Sequence, residues 1–203
     1  MSDALCDYGL SVHTSVADRS RHAPYLTRPV LLIDLRGAQA RLAGSWSNEL
    51  ELQETLTLVE SLRDGGVQLE EIAVITPYRG QLEQLRRGFL QRGIALERSP
   101  ELAETEGARL GRSGGVALGT VHRFQGGERS IVLFSSVVTH PGSLSFLNAR
   151  PNLLNVAISR AQHHFICLGH AAVLAQGARS RLLVDGVGVL STAAYRGADV
   201  GGR

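Results

Sequence analysis

Val116–Val138 reads VALGTVHRFQGGERSIVLFSSVV, two apolar runs rich in β-branched residues, held apart by the polar segment His122–Ser130. Short runs of this kind, apolar on successive residues rather than on alternate ones, mark strands covered on both faces. Working outward, the pattern repeats. Val30–Asp34 (VLLID) and Glu71–Ile75 (EIAVI) lie upstream, and His164–Gly169 (HFICLG) lies downstream, each flanked by breakers. Helical stripes fall between them. Asn48–Arg63 sets Leu52, Leu56, Val59 and Leu62 on one side and is stopped by Asp64-Gly65-Gly66. After Pro77 a second helix carries Leu82, Leu85 and Phe89 and ends near Gly93, and a third over Asn152–Ala161 leads into the last strand. This strand and helix alternation predicts an α/β domain with a mainly parallel sheet.

The connecting segments carry less information. Residues up to Ser47 after the first strand read as a polar loop, Glu97–Gly115 as a surface excursion, and the chain after Ala178 as frayed. The expected organisation is a loose segment over residues 1–28, one domain over 29–185 and a flexible tail over 186–203.

Composition removes several chemistries. All 21 basic residues are arginine, so a P-loop, whose lysine reaches the β and γ phosphates, and a Schiff-base amine are both excluded from the chain itself. With 43% hydrophobic and 20% charged residues, a packed core forms without difficulty, while a net charge of +2 is too small to establish a nucleic-acid partner. Cys6 and Cys167 stand far apart with no CxxC spacing, which argues against a disulfide framework or a zinc site. No run approaches the roughly 18 to 20 apolar residues of a membrane span. The expectation is a cytoplasmic protein without membrane contact.

In open parallel sheets ligands collect at the carboxyl ends of strands. That directs attention to Thr76-Pro77-Tyr78-Arg79-Gly80-Gln81, to His122-Arg123-Phe124-Gln125-Gly126-Gly127-Glu128, and to Asn155, Ser159 and Arg160 in the helix before the last strand. The expectation is that these three segments converge on one edge. Guanidinium forks suit phosphate, and Tyr78 offers a flat face to a base. Plainer uses exist for the same residues. Arginines at loop and helix ends cap carbonyls or pair with acids, and Tyr78 would equally cover a helix end. Asn48 and Glu51 are spaced as a helix-capping pair. His163 and His164 are adjacent, so on a strand they point to opposite faces and cannot share a metal. Asp34 ends a strand without an accompanying acidic cluster.

ITPYRGQ, GTVHRFQGGE with its following strand, and FLNARPNLLNVAISRA stand in the order and spacing of a known family. The chain resembles the second, C-terminal RecA-like domain of superfamily 1 DNA/RNA helicases, in the branch of the nonsense-mediated-decay helicase and the Okazaki-fragment nuclease-helicase. The three blocks are similar to motifs IV, V and VI, and the resemblance runs from about Pro29 to about Val184. It implies a RecA-like, P-loop-NTPase-type three-layer fold lacking its own P-loop. It further implies that Tyr78 lies against adenine, that Arg79 is directed at the triphosphate, and that Arg160 is the arginine finger acting as the γ-phosphate departs. Gln125 and Glu128 resemble the pair linking nucleotide state to nucleic-acid grip, and Gln81 would orient the motif IV loop. Thr120 and His122, with Arg123 and Asn155, would face single-stranded DNA or RNA.

The family's Asn-x-x-Glu segment is matched by Asn48 and Glu51, where the capping reading is preferred. The P-loop, the Mg2+-binding acids and the arginine-bearing segment between the two domains have no counterpart here. ATP and Mg2+ would therefore be bound only together with a P-loop RecA-like domain, supplied by another chain or by an upstream region. The resemblance implies one half of an ATP-dependent helicase or translocase that is inactive alone. Two other readings stand beside it. One is a non-catalytic helicase-derived remnant that binds nucleic acid or a protein partner; the other is a nucleotide-binding module of another α/β family.

Overall fold

A computed structural model describes residues 28–97, 114–121, 124, 127–149, 153–185 and 188–191. Its centre is a six-stranded sheet built from β1 (Val30–Asp34), β4 (Ile72–Thr76), β5 (Ala117–Thr120), β6 (Arg129–Ser135), β7 (Ala161–Gly169) and β8 (Gly188–Ser191). The order across the sheet is β5-β4-β6-β7-β1-β8, and every pairing in it is parallel.

Strand alternation divides the apolar residues between two layers, as a pleat with period two requires. Leu31, Ile33, Ile72, Val74, Ile131, Leu133, Ile166 and Leu168 face one core with Leu52, Leu56, Val59, Leu85 and Phe89. Val30, Leu32, Ala73, Ile75, Val132, Phe134, Phe165 and Cys167 face the other, with Leu153, Leu154, Ala157 and Leu174. Both faces are thus covered, which is the three-layer α/β class expected. Each such aliphatic or aromatic burial stabilises by about 1.5–3 kcal/mol. Phe134 and Phe165 add a stacked pair with centroids 6.0 Å apart.

The first core is covered by α1 (Glu49–Asp64) and α2 (Arg79–Gln91). Asn48 caps α1, its Oδ1 accepting the N–H groups of Leu50 at 3.1 Å and Glu51 at 3.3 Å, so the capping reading holds for Asn48; Glu51 does not complete a capping box, because the Asn48 N–H goes to Gln81 Oε1 at 2.8 Å. The second core is covered by short helices: α3 (Leu144–Ala149), α4 (Leu153–Ile158), α5 (Ala171–Leu174) and α6 (Leu182–Asp185).

Four expectations are corrected. The loop expected after β1 contains an antiparallel hairpin, β2 (Gln39–Leu42) and β3 (Ser45–Asn48), separate from the main sheet. Helix α3 lies where a loop was expected. The chain past Ala178 does not simply fray, since α6 follows and β8 pairs with β1 at the sheet's edge. Finally, the apolar run Ile131–Val138 leaves the sheet at Ser135: Val137 turns to φ 59, and its N–H is taken by Glu51. Most of the excursion at 97–115 lies outside the described residues, yet its two ends meet where Leu96 bridges Val116.

Candidate functional site

Because the strands are parallel, the sheet has a carboxyl edge, where Asp34, Thr76, Thr120, Ser135 and Gly169 end their strands, and an amino edge, where Arg129 and Ala161 begin theirs. Helix α4 runs back between them. Among the described residues, Tyr78, Arg79 and Thr120 stand at the carboxyl edge and Arg160 and Glu128 at the amino edge.

At the carboxyl edge, Tyr78 caps α2 and Arg79 opens it. Arg79 is exposed and makes no ion pair or side-chain hydrogen bond among the described residues. Tyr78 is half-buried against Phe146, ring centroids 5.1 Å apart, and burial together with the charge of Glu51 raises its phenol above the ordinary value. One face of Tyr78 is therefore already packed. Thr120 is buried at the end of β5, where its carbonyl accepts the Phe124 N–H at 2.8 Å and Thr76 accepts the next amide, Val121 N–H, at 3.2 Å.

Beneath Tyr78 lies a closed polar network. Gln81 is fully buried; its Oε1 accepts the Asn48 N–H at 2.8 Å, and its Nε2 donates to Asn48 O at 3.2 Å and Ser135 Oγ at 3.0 Å. Ser135 Oγ donates to Glu51 Oε2 at 2.7 Å, Val137 N–H donates to the same oxygen at 2.9 Å, and Asn48 Nδ2 donates to Oε1 at 3.1 Å. Through its side-chain amide Gln81 ties the first turn of α2 to the end of β3 and to Ser135 of β6. Glu51 is fully buried, and desolvation outweighs its hydrogen bonds, pushing the carboxyl up to about 8. The Asn-x-x-Glu spacing was the sequence signal for this network, though capping alone explained it before the fold brought Ser135 and Gln81 alongside.

At the amino edge stand Arg160 and Glu128. The Arg160 carbonyl accepts the Arg129 N–H at 2.9 Å, fixing the end of the motif VI segment to the start of β6. Arg160 Nη2 reaches only the neighbouring Ser159 Oγ at 3.4 Å, and its Nε is buried without a partner. Glu128 is exposed and accepts from Gln162 Nε2 at 3.4 Å. Arg129, by contrast, is committed to Glu97 at 2.6 Å. Asn155 is exposed on α4. His122, Arg123 and Gln125 lie outside the described residues.

The expectation of one convergent site is therefore corrected. Ala161 pairs with Arg129, Ile131 with Ile72, and Thr76 follows four residues later, so the edges are about six strand residues, ~20 Å, apart. A phosphate bound at either edge is out of reach of the arginine at the other. The eight residues 121–128 that join β5 to β6 have to cover that height, in a crossover where a dozen or more residues are usual.

Two guanidinium groups without acid partners suit phosphate oxygens, one at each edge. No group of three or more His, Cys, Asp or Glu comes together among the described residues to hold a metal ion, so they offer Mg2+ no ligand set. His164 is buried with Nδ1 3.1 Å from Arg28 O, and burial lowers its pKa, consistent with a structural role. Asp34 accepts the Ala171 N–H at 2.9 Å and lies 3.5 Å from Arg36. Cys167 is buried and free. No helix among the described residues is long and apolar enough to cross a membrane.

A family model described as an AAA domain, AAA_12, matches residues 3–172. The probable RNA helicase armi of Drosophila melanogaster is 30% identical over 139 residues, covering 64% of this chain and 10% of its own length. The regulator of nonsense transcripts 1 homolog of the same organism is 29% identical over 157 residues, 75% of this chain and 12% of its own. The DNA-binding protein SMUBP-2 of Mus musculus is 31% identical over 150 residues, 70% of this chain and 13% of its own. The matched part of the chain thus corresponds to about a tenth of these relatives.

Proposed function

The chain belongs to the AAA_12 family of AAA domains, as a C-terminal RecA-like domain of the superfamily 1 helicases, and from that premise we propose that it is the second motor domain of an ATP-dependent helicase or translocase. It acts on nucleic acid together with a P-loop domain. The single observation that carries this reading is the state of Arg160: its carbonyl is tied to Arg129 N–H at the amino edge, its Nε is buried without a partner, and among the described residues no acid neutralises its guanidinium.

In this reading the two edges have different tasks. The amino edge faces the nucleotide, with Arg160 directed at the γ-phosphate and Glu128, beside Gln162, at its flank. ATP with Mg2+ supplies the phosphoanhydride bond that drives the motor, the metal ligands coming from the P-loop domain. Arg160 donates to phosphoryl oxygens and offsets the charge that develops there, a role worth 10³ to 10⁵ in rate in other NTPases. The carboxyl edge faces a single strand. Thr120, Arg79 and Tyr78 stand there, and backbone phosphates are the natural partners of an unpaired arginine. Tyr78 and Arg79 are thus moved from the nucleotide to the strand. The short crossover 121–128, which contains Gln125 and Glu128, joins the edges and would transmit a shift at one to the other.

The test is to combine the chain with the P-loop RecA-like domain of a relative and a single-stranded oligonucleotide, and to follow phosphate release. Arg160→Ala is expected to reduce release at least a hundredfold with strand affinity retained. Equal release by the two proteins would refute the assignment.

A further inference from the structure

The tryptophan at position 46 is the only one in the chain, and it stands outside both apolar cores. It lies in the β2–β3 hairpin, directly opposite Arg41, whose Cζ sits 5.1 Å from the ring centroid. That distance is a cation–π contact. Arg41 itself is exposed. The hairpin turns through Ala43 at φ 48 and Gly44 at φ 81, the two positive values that a tight two-residue turn requires. A Cβ on Gly44 would meet nothing within 4 Å, so the turn is open at that residue.

The root of the hairpin is fixed to the carboxyl edge. Directly opposed residues of an antiparallel pair share a face, which puts Gln39, Arg41, Trp46 and Asn48 together. The two root members of that face reach the edge: Thr139 Oγ1 donates to Gln39 Oε1 at 3.2 Å, and Asn48 is held by Gln81. On the other side, a Cβ at Gly80 would come within 2.8 Å of Trp46 O, so the Trp46 backbone lies on the first turn of α2, one residue from Arg79.

We propose, resting on the reading of the carboxyl edge as the strand-facing one, that this hairpin is a base-stacking site for single-stranded nucleic acid, with Arg41 on Trp46 as its platform and Arg79 beside it for backbone phosphate. Stacked guanidinium and indole planes accept any base, because every base has a π face. The charges agree. Arg41 and Arg79 are exposed, and Arg36 has 75% of its side chain exposed. Arg36 pairs with Asp34, so the two together add no net charge; Glu51 is buried, and Glu49 is an exposed carboxylate bonded to Gln53 at 2.8 Å, which leaves Arg41 and Arg79 against one exposed acid. The surface is cationic and aromatic, which suits a strand of nucleotides.

A single tryptophan makes the test direct, since all indole emission comes from the hairpin. Binding of the whole chain is read from the anisotropy of labelled oligothymidylate and oligouridylate about 15 nucleotides long. Contact at the hairpin is read separately, from emission quenching by the unlabelled oligomers. The expected result is quenching that saturates with the anisotropy, a loss of about tenfold or more in affinity for Trp46→Ala and Arg41→Ala, and a much smaller loss for Trp46→Phe. Quenching by one oligomer alone would assign the platform to DNA or to RNA. A rise in anisotropy with unchanged emission and unchanged affinity of the variants would overturn the hairpin site while leaving the edge as strand-binding. No rise in anisotropy would overturn both. The emission measurement on the unaltered protein decides the matter even if a variant does not fold.

Discussion

Arg79 follows β4 and Arg160 precedes β7, which puts the two at opposite edges of one parallel sheet, about six strand residues or ~20 Å apart. Both lack an acid partner among the described residues, yet they cannot act on one phosphate at either edge. Their substitutions should therefore separate. In the presence of a P-loop domain, Arg79→Ala is expected to leave phosphate release at saturating oligonucleotide within about threefold, weaken strand binding, and lower the salt dependence of binding by about one phosphate contact. Titrations at several salt concentrations check this. A collapse of phosphate release in Arg79→Ala matching that of Arg160→Ala would return both arginines to one site.

This separation was implicit in the sequence. A helix joining two parallel strands runs antiparallel to them, so its last residue, unlike a residue just after a strand, lies at the amino edge. Arg160 directly precedes the run into β7; grouping it with Tyr78 and Arg79 overlooked that direction. The strands themselves were legible because burial on both faces leaves unbroken apolar runs such as Val30–Asp34 and Ile72–Thr76, and α1 and α2 were legible because each exposes one side. The hairpin was not: Gln39–Leu42 and Ser45–Asn48 are four residues each, mixed in polarity and outside the main sheet, so neither period nor apolar content marks them. Helix α3, at six residues, is too short for a stripe, and β8 is an edge strand paired only with β1.

Stability should depend on pH through Glu51. Its folded pKa, about 8, is raised from an ordinary 4.5, so the native state keeps a proton that the unfolded chain gives up. The contribution is fully present below pH 4.5 and is lost as pH rises through about 8, at up to about 1.4 kcal/mol per pH unit. Glu51→Gln has no proton to lose. Denaturant unfolding at pH 5, 6.5 and 8 is expected to show stability falling with pH in the unaltered protein relative to Glu51→Gln; parallel curves would mean that Glu51 is ionised in the fold.

Gln81 closes the network from the α2 side, and its removal should be felt at the strand edge. Gln81→Leu is similar in volume but leaves the Asn48 N–H buried without its partner and takes one donor each from Asn48 O and Ser135 Oγ. A loss of about 1–3 kcal/mol is expected in thermal or denaturant unfolding, the cost of one buried group left unmet. Because the same contacts anchor β3 to α2, strand affinity should fall too. If Gln81→Leu is as stable as the unaltered protein, Gln81 does not anchor the hairpin.

The crossover 121–128 offers a test of how the edges communicate. Thr120 and Arg129 lie ~20 Å apart in height, and the nine steps between them extend to at most ~30–32 Å; the Phe124 N–H turns back to Thr120 O, which leaves five steps, at most ~16–18 Å, from Phe124 to Arg129 and so little slack. A segment with so little slack can transmit displacement; a lengthened one cannot. Two glycines inserted between Gly126 and Gly127 add about 7 Å of reach. The expectation is that such a protein still binds oligonucleotide and, with a P-loop domain, still releases phosphate at its strand-free rate, while stimulation by the strand is lost. Phosphate release with and without oligonucleotide measures it, and full stimulation in the inserted protein would show that coupling runs by another route, the candidate being the sheet strands that join the same two edges.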